Sequence, residues 1–329
     1  MKTPIDIEIP KGLPQHPWHP SVVYVAEGWN GHRWWMAETP YAPDKCAPYN
    51  ERWELPCMHY SDDGVHWKSA GAPIDDLTEE QITSHSYHSD PHLAMNDGVL
   101  YCYYRLMEDY DARTTIIRKS SKDGINWSER EIIHVAGREI ISPAIVWTGV
   151  KWRMYYVDDT FTNLERGIQM AESDDGLHFE NKGSVWEKQE VKPWHIDVQL
   201  IDGTFYLLVH DVDNRTLTLY DSKDGLKWNK GKELLKASKM IADYWSSSLY
   251  RACLVKVDNR MEVYFSASNG IASYIGKMAQ DGTGYLVADC LKGREKMRFE
   301  LCFIVRRVQQ YINRIRHFVE KRVKNGKCK

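Results

Sequence analysis

Four copies of one short turn constrain this chain more than anything else in it. SDDGVHW (Ser61 to Trp67), SKDGINW (Ser121 to Trp127), SDDGLHF (Ser173 to Phe179) and SKDGLKW (Ser222 to Trp228) follow one another at steps of 60, 52 and 49 residues. Asp-Gly between two apolar runs marks a hairpin, because Gly accepts a positive φ and Asp can bond its neighbouring backbone. The Ser offers a second side-chain bond. The aromatic residue three positions past Gly opens the next strand and fills space between layers. One such heptad says little; four in series make an internal repeat.

Repeats of about 40–50 residues with strand patterning predict propeller blades of four strands each. The stretches between the turns agree. GVLYCYYR (Gly98 to Arg105), GVKWRMYYVDD (Gly149 to Asp159), GTFYLLVHD (Gly203 to Asp211) and NRMEVYFSAS (Asn259 to Ser268) are rich in aromatic and β-branched residues, and GHRWWMAE (Gly31 to Glu38) is their earlier counterpart. Another apolar strand precedes each: PSVVYV, PHLAM, PAIVW, DVQLI and ACLVKV. That makes five units, the fifth with only a degraded turn, AQDGTGY at Ala279. The expected fold is all-β: a five-bladed β-propeller over residues 1–290, followed by a C-terminal basic amphipathic α-helix over 291–329.

With 43% hydrophobic residues in 329, the chain has ample material for a large core. Its thirteen Trp and nineteen Tyr belong mainly to that core, though aromatic rings also stack on the C–H faces of sugars. Seven Cys, an odd count without close metal-type pairs, argue against a disulfide framework. No apolar run reaches membrane-span length, and MKTPIDIEIPKG does not read as a signal peptide. The expected setting is cytoplasmic, with peripheral membrane association as the variant considered next.

The net charge of −3 hides an asymmetry. From Lys292 to Lys329 there are thirteen Lys or Arg against three Glu, a net of +10, so the rest of the chain carries −13. Ile304, Val308, Ile312, Ile315, Val319 and Val323 recur there at helical spacing, among Arg306, Arg307, Arg314, Arg316, Lys321 and Arg322. Packing on the propeller, self-association through 299–323 and docking on an anionic membrane surface are the alternatives. No nucleic-acid partner is expected, because the acidic body repels a polyanion.

In a propeller the first strand of each blade lines the central channel, so its leading residues converge. Those strands offer His19 before Pro20, Asp90 before Pro91, Ser142 before Pro143, then His195 and Asp197, then Trp245 and Arg251. Five such units, the S-x-D-G-x-x-W turns and the [H/D/S]-P dipeptides resemble the five-bladed glycoside hydrolases, family 43 with its relatives 32, 117 and 130, over roughly residues 14 to 290. The resemblance implies a central sugar pocket and an oligosaccharide or polysaccharide partner. The sequence departs from those enzymes at the first-blade carboxylate, replaced by His19, at Ser142, and in lacking a Glu-Gly-Pro element. Asp90 is the clean Asp-Pro match.

Cleavage of a glycosidic bond needs two carboxyl groups across the bond. Asp90 and Asp197 are the expected catalytic pair, with His19 or His195 assisting in proton transfer. Asp158, Asp159, Asp211, Asp243 and Glu54 are lesser candidates at strand ends and loops. Trp18, Trp194 and Trp245 are the expected sugar platform, with His88, His92, Ser142, Asp159 and Arg251 as further substrate contacts. Arg251 could meet an acidic sugar or neutralise Asp90 or Asp197. The spacing of His85, His88 and His92 reads as structural or substrate-binding rather than metal-ligating, so no cofactor is expected; a central divalent cation held by one His and water would be invisible at this level. The loops Thr39–Pro56 and Asp75–His88 are expected to shape the cleft. The expected function is a glycoside hydrolase. A non-catalytic glycan-binding propeller and a membrane-associated transferase or phosphorylase of surface polysaccharide assembly are the alternatives.

Overall fold

The computed structural model describes residues 1–41, 54–84, 86–108, 113–135, 140–158, 167–188, 190–240, 243–282 and 284–326. After a two-residue strand β1 (Asp6–Ile7), the chain makes four-stranded antiparallel meanders. The first is β2 (Pro17–Trp29), β3 (His32–Pro40), β4 (Cys57–Ser61) and β5 (His66–Pro73). A short helix α1 (Glu79–Thr83), closed by a Thr78/Gln81 capping box, leads to β6 (Tyr87–Asn96), β7 (Val99–Glu108), β8 (Arg113–Ser121) and β9 (Glu131–Val135). Then come β10 (Ile140–Trp147), β11 (Trp152–Asp158), β12 (Gly167–Ser173) and β13 (His178–Ser184). The fourth meander is β14 (Pro193–Ile201), β15 (Thr204–Asp211), β16 (Thr216–Ser222) and β17 (Lys232–Lys236). The fifth is β18 (Ser248–Val257), β19 (Arg260–Ser268), β20 (Ser273–Gln280) and β21 (Tyr285–Val287). A parallel pairing of β13 with β9, His178 opposite His134, joins the second and third into one eight-stranded sheet.

The first strands touch in the closed order β2, β6, β10, β14, β18 and back to β2. Second strands explain how neighbouring meanders adhere. Successive side chains on a strand point to opposite faces, and here each adjacent pair splits between two hydrophobic clusters. Trp35 and Tyr104 meet in one cluster, Tyr103 and Tyr156 in the next, then Tyr155 with Leu207, Leu208 with Phe265, and Tyr264 with Trp34. Each fully buried side chain of this size contributes about 1.5–3 kcal/mol. Asn30-Gly31, Asp97-Gly98 and Asp202-Gly203, all at positive φ, make the tight hairpins between first and second strands.

The repeated turn is an interblade latch. Ser61 Oγ accepts from the Gly64 amide, while Asp63 Oδ1 accepts from Val65 and His66. The same bonds recur at Ser121/Asp123, Ser173/Asp175 and Ser222/Asp224. Bonded to itself, the turn seats its glycine on a second strand of the preceding meander. A Cβ on Gly124 would fall 2.2 Å from the Trp35 ring, and one on Gly225 2.3 Å from Tyr155 Oη. Gly64 of the first meander seats on Tyr264 of the last, which closes the ring. The N-terminus reinforces this joint: β1 pairs with β5, and the Ile5 amide bonds the Ile275 carbonyl at 3.0 Å. The degraded fifth turn has no such seat, since Gly282 meets nothing within 4 Å.

The tail forms one helix, α2 (Gly293–Gly326). Phe299 and Phe303 pack on the cluster between the fourth and fifth meanders, and Arg307 donates to Ser246 Oγ. Among the described residues no helix is long and apolar enough to cross a membrane.

Candidate active site at the channel mouth

Three inner strands break step at the same place. Registers shift between Trp18 and Ser21 in β2, Ser89 and His92 in β6, and Ile141 and Ala144 in β10. An X-Pro pair occupies each bulge, and the residues before proline, His19, Asp90 and Ser142, sit at φ of 51°, 54° and 53°. That left-handed conformation costs a side-chain-bearing residue about 1–3 kcal/mol, and the bulge takes the side chain out of the strand's alternation. β14 shifts between Pro193 and His195, and β18 between Leu249 and Ala252. Tyr250 and Arg251 therefore stand where β2, β6 and β10 carry the X-Pro pair.

The bulges gather donor atoms from three strands. One from each of His19, Asp90 and His195 lies within 4.8 Å of the others. His195 Nδ1 is 3.3 Å and His19 Nε2 3.8 Å from Asp90 Oδ1. These separations allow charge interaction, yet none of the three buried atoms has an aligned hydrogen bond, a condition that few buried polar groups tolerate. The opposite ends of His19 and Asp90 are anchored, whereas His195 has neither ring nitrogen in an aligned bond. His19 Nδ1 bonds Thr39 Oγ1 at 2.7 Å and lies 3.4 Å from Glu54 Oε1. Asp90 Oδ2 accepts from the Ser142 amide and faces Arg105 Nε at 2.7 Å.

Burial holds both imidazoles below the ordinary histidine value, so they are neutral near pH 7. Burial alone would raise the Asp90 carboxyl, but Arg105 and His195 outweigh it and hold it well below the carboxylate range. Arg251 adds to this, with Nη1 3.5 Å from Asp90 Oδ1 and Nη2 donating to the Pro143 carbonyl. Two neutral imidazoles and one carboxylate, converging through atoms that have no aligned hydrogen bond, fit a divalent cation and are the donor types of catalytic zinc-like sites. The spacing of His85, His88 and His92 could not reveal this group, because its members come from three separate strands.

Above them lies a cavity of about 250 Å³, lined by His19, Tyr41, Glu54, Tyr87, Ser89, Arg105, Ile141, Trp194, His195 and Tyr250. It is small beside the roughly 300–1,000 Å³ of ligand pockets. Glu54 also takes a left-handed φ, 54°, and accepts from Ser89 Oγ at 2.5 Å. Tyr250 stands at the centre of the aromatic wall, 5.2 Å from Trp18 and 4.2 Å from His195 by ring centroids, with its hydroxyl receiving the Trp194 indole N–H at 2.8 Å.

No family model matches the chain. It is 25% identical over 330 residues to an A type blood N-acetyl-α-D-galactosamine deacetylase of Flavonifractor plautii, over 82% of this chain but only 42% of that relative's length. A solved N-acetylgalactosamine deacetylase from F. plautii, in complex with blood group B trisaccharide, superposes with a TM-score of 0.68 at 18% identity, over 85% of this chain and 94% of that one. A GH43_1 enzyme from Xanthomonas citri complexed with xylose superposes with a TM-score of 0.62 at 11% identity, over 88% and 92% of the two chains. The chain has the fold of the propeller glycoside hydrolase superfamily.

On this propeller scaffold the sequence-derived residues divide. His19, Asp90, His195 and Arg251 come together as described, and Trp194 lines the cavity. Arg251 serves to neutralise Asp90. Trp18 sits behind the cavity, its faces against Tyr41 and Tyr250. Asp197 does not line it: Oδ2 accepts from the Leu254 amide at 2.8 Å and Oδ1 faces His92 Nδ1 at 3.4 Å. His92 also meets the Ile145 carbonyl. Ser142 bonds both backbone groups of Ile196 and so ties β10 to β14. His88 points to the Asp75 carbonyl and Tyr104 rather than to the cavity. Trp245 lies in the turn before β18 and belongs to the cluster between the fourth and fifth meanders. Asp211 and Asp243 bond their own loops. Asp159, His85, and most of the loop Thr39–Pro56 with Tyr49 and Trp53, lie outside the described residues. Sequence reasoning did not single out Arg105, Tyr41, Tyr87 or Tyr250.

Proposed function

We propose that this chain is a carbohydrate-active hydrolase that removes an N-acyl group from an amino sugar seated in the mouth of a five-bladed propeller. The convergence of three buried, unbonded donors beside Glu54 carries this reading. His19, Asp90 and His195 would hold a divalent cation, which when bound supplies Lewis acidity toward a water and the acyl oxygen. Glu54 takes a proton from the attacking water and returns one to the leaving nitrogen. The water oxygen bonds the acyl carbon, the C–N bond breaks, and a carboxylic acid and a free amine leave. Trp194 and Tyr250 bound the sugar, and Arg105 and Arg251 keep Asp90 ionised. The similarity to a deacetylase of N-acetylgalactosamine makes that sugar the first to try.

Glycosidic bond cleavage is the second reading. It is favoured by two carboxyls with separated values, Asp90 held low and Asp197 pushed up by burial to about 6. Asp197's inward bonds and absence from the cavity wall count against it. A glycan-binding propeller predicts sugar binding without turnover, and a transferase or phosphorylase predicts dependence on a donor.

The deciding experiment is product analysis on a panel of oligosaccharides ending in N-acetylated and unacetylated sugars. Acetate release from chains of unchanged length, stopped by chelator and restored by divalent metal, is the expected result. Glu54→Gln should lower that rate by about 10²–10⁴ while leaving sugar binding in place. Chelator-indifferent release of a still-acetylated monosaccharide would overturn the deacylase in favour of the glycosidase.

A further inference from the structure

The helix α2 docks by its minor face and leaves its main apolar face uncovered. Phe299 and Phe303 meet the propeller, whereas Met297, Leu301, Ile304, Val305, Val308, Tyr311, Ile312, Ile315 and Val319 are all exposed. At 100° per residue these nine fall within an arc of about 120°, opposite the two phenylalanines and about 33 Å long. Such a continuous apolar face is unlike the scattered exposed hydrophobes of an ordinary surface.

We propose that this face lies on an anionic lipid surface, holding the propeller against a membrane without crossing it. Charge decides between this occupant and a second copy of the helix. Leu301, Val308 and Ile315 with Ile304, Tyr311 and Phe318 follow a heptad, but the flanking positions do not suit a partner helix. Arg307, Arg314 and Lys321 would face Val305, Ile312 and Val319 in a parallel pair and one another in an antiparallel pair. Glu300 holds the same position one heptad earlier, so an antiparallel pair gains Glu300 against Lys321 but sets Arg307 against Arg314, a parallel pair gains no opposite charge, and each tail brings +10. Against anionic headgroups the same pattern is complementary. Arg298 and Arg316 border one edge of the stripe, positions from which their alkyl stems reach along apolar surface toward phosphates; beyond the other edge stand Glu300 and, further round, Arg314. The acidic body, at −13, is set behind the helix and away from the lipid.

The test is co-sedimentation of the full chain with vesicles of equal parts phosphatidylcholine and phosphatidylglycerol, and with phosphatidylcholine alone. Binding to the mixed vesicles only, weakened by added salt, is expected. Val308→Glu with Ile312→Glu should abolish it; both sites are exposed, so the propeller's circular dichroism should not change. Arg314→Gln and Arg316→Gln should weaken binding by about fivefold each. The proposal is overturned if the full chain stays in the supernatant with both vesicles, or if binding survives the two Glu substitutions. It is also overturned if sedimentation velocity shows a dimer that Val308→Glu dissociates, which would assign the face to a second copy.

Discussion

The outer turns and the channel mouth are both built from repeats, and they use their polar groups in opposite ways. In each complete turn the leading Ser and the Asp before Gly bond within the turn, and the glycine locks onto the preceding blade. At the mouth, the equivalent residues of different blades have diverged into His, Asp, Ser, Trp and Tyr-Arg, and buried atoms of His19, Asp90 and His195 are left unbonded. Groups that satisfy themselves locally contribute stability. Groups held in strained bulges without partners are kept available for something that enters from outside.

This contrast can be broken first at the latch. Gly124→Ala places a methyl group against Trp35 at a left-handed φ of 76° and should cost about 2–4 kcal/mol in denaturant unfolding. Gly282→Ala, in the degraded fifth turn, should change stability by less than about 0.5 kcal/mol. Equal losses at the two sites would show that the latch is not what distinguishes the complete turns.

A smaller effect separates the regions by pH. Burial raises the Asp63 carboxyl, but bonds from His66, Val65 and Ser61 together outweigh it and bring it down to about 2. A carboxyl depressed on folding stabilises above its unfolded value near 4, and that contribution disappears as pH falls toward about 2. The side chain is half exposed, so solvent screening limits the contribution to below about 1 kcal/mol. Asp63→Asn should flatten stability over this window without altering activity near neutrality. An unchanged acid limb would remove the turn's carboxyl from the stability account.

Legibility follows the same division. The turns could be read because the Ser and Asp bonds that shape them lie within one heptad, and the five meanders followed from the repeat and the period-2 strands. His19, Asp90 and Ser142 could be read because a proline marks each bulge. Tyr250 holds the corresponding place in β18 without a proline to mark it, and the expected aromatic contact, Trp245, lies five residues earlier in the chain. Glu54 reaches the site from the end of a long loop, and Arg105 from a second strand whose alternation assigns it no particular partner. His19 and His195 are 176 residues apart in the chain, and only closure of the ring brings them to one point.

The most direct measurement is the metal content of the full chain after chelator stripping, reloading with zinc or manganese and gel filtration, beside His195→Ala treated in the same way. The account predicts about one equivalent retained per wild-type chain and little in the variant. Wild-type protein that retains none, or a variant that retains as much, would contradict it.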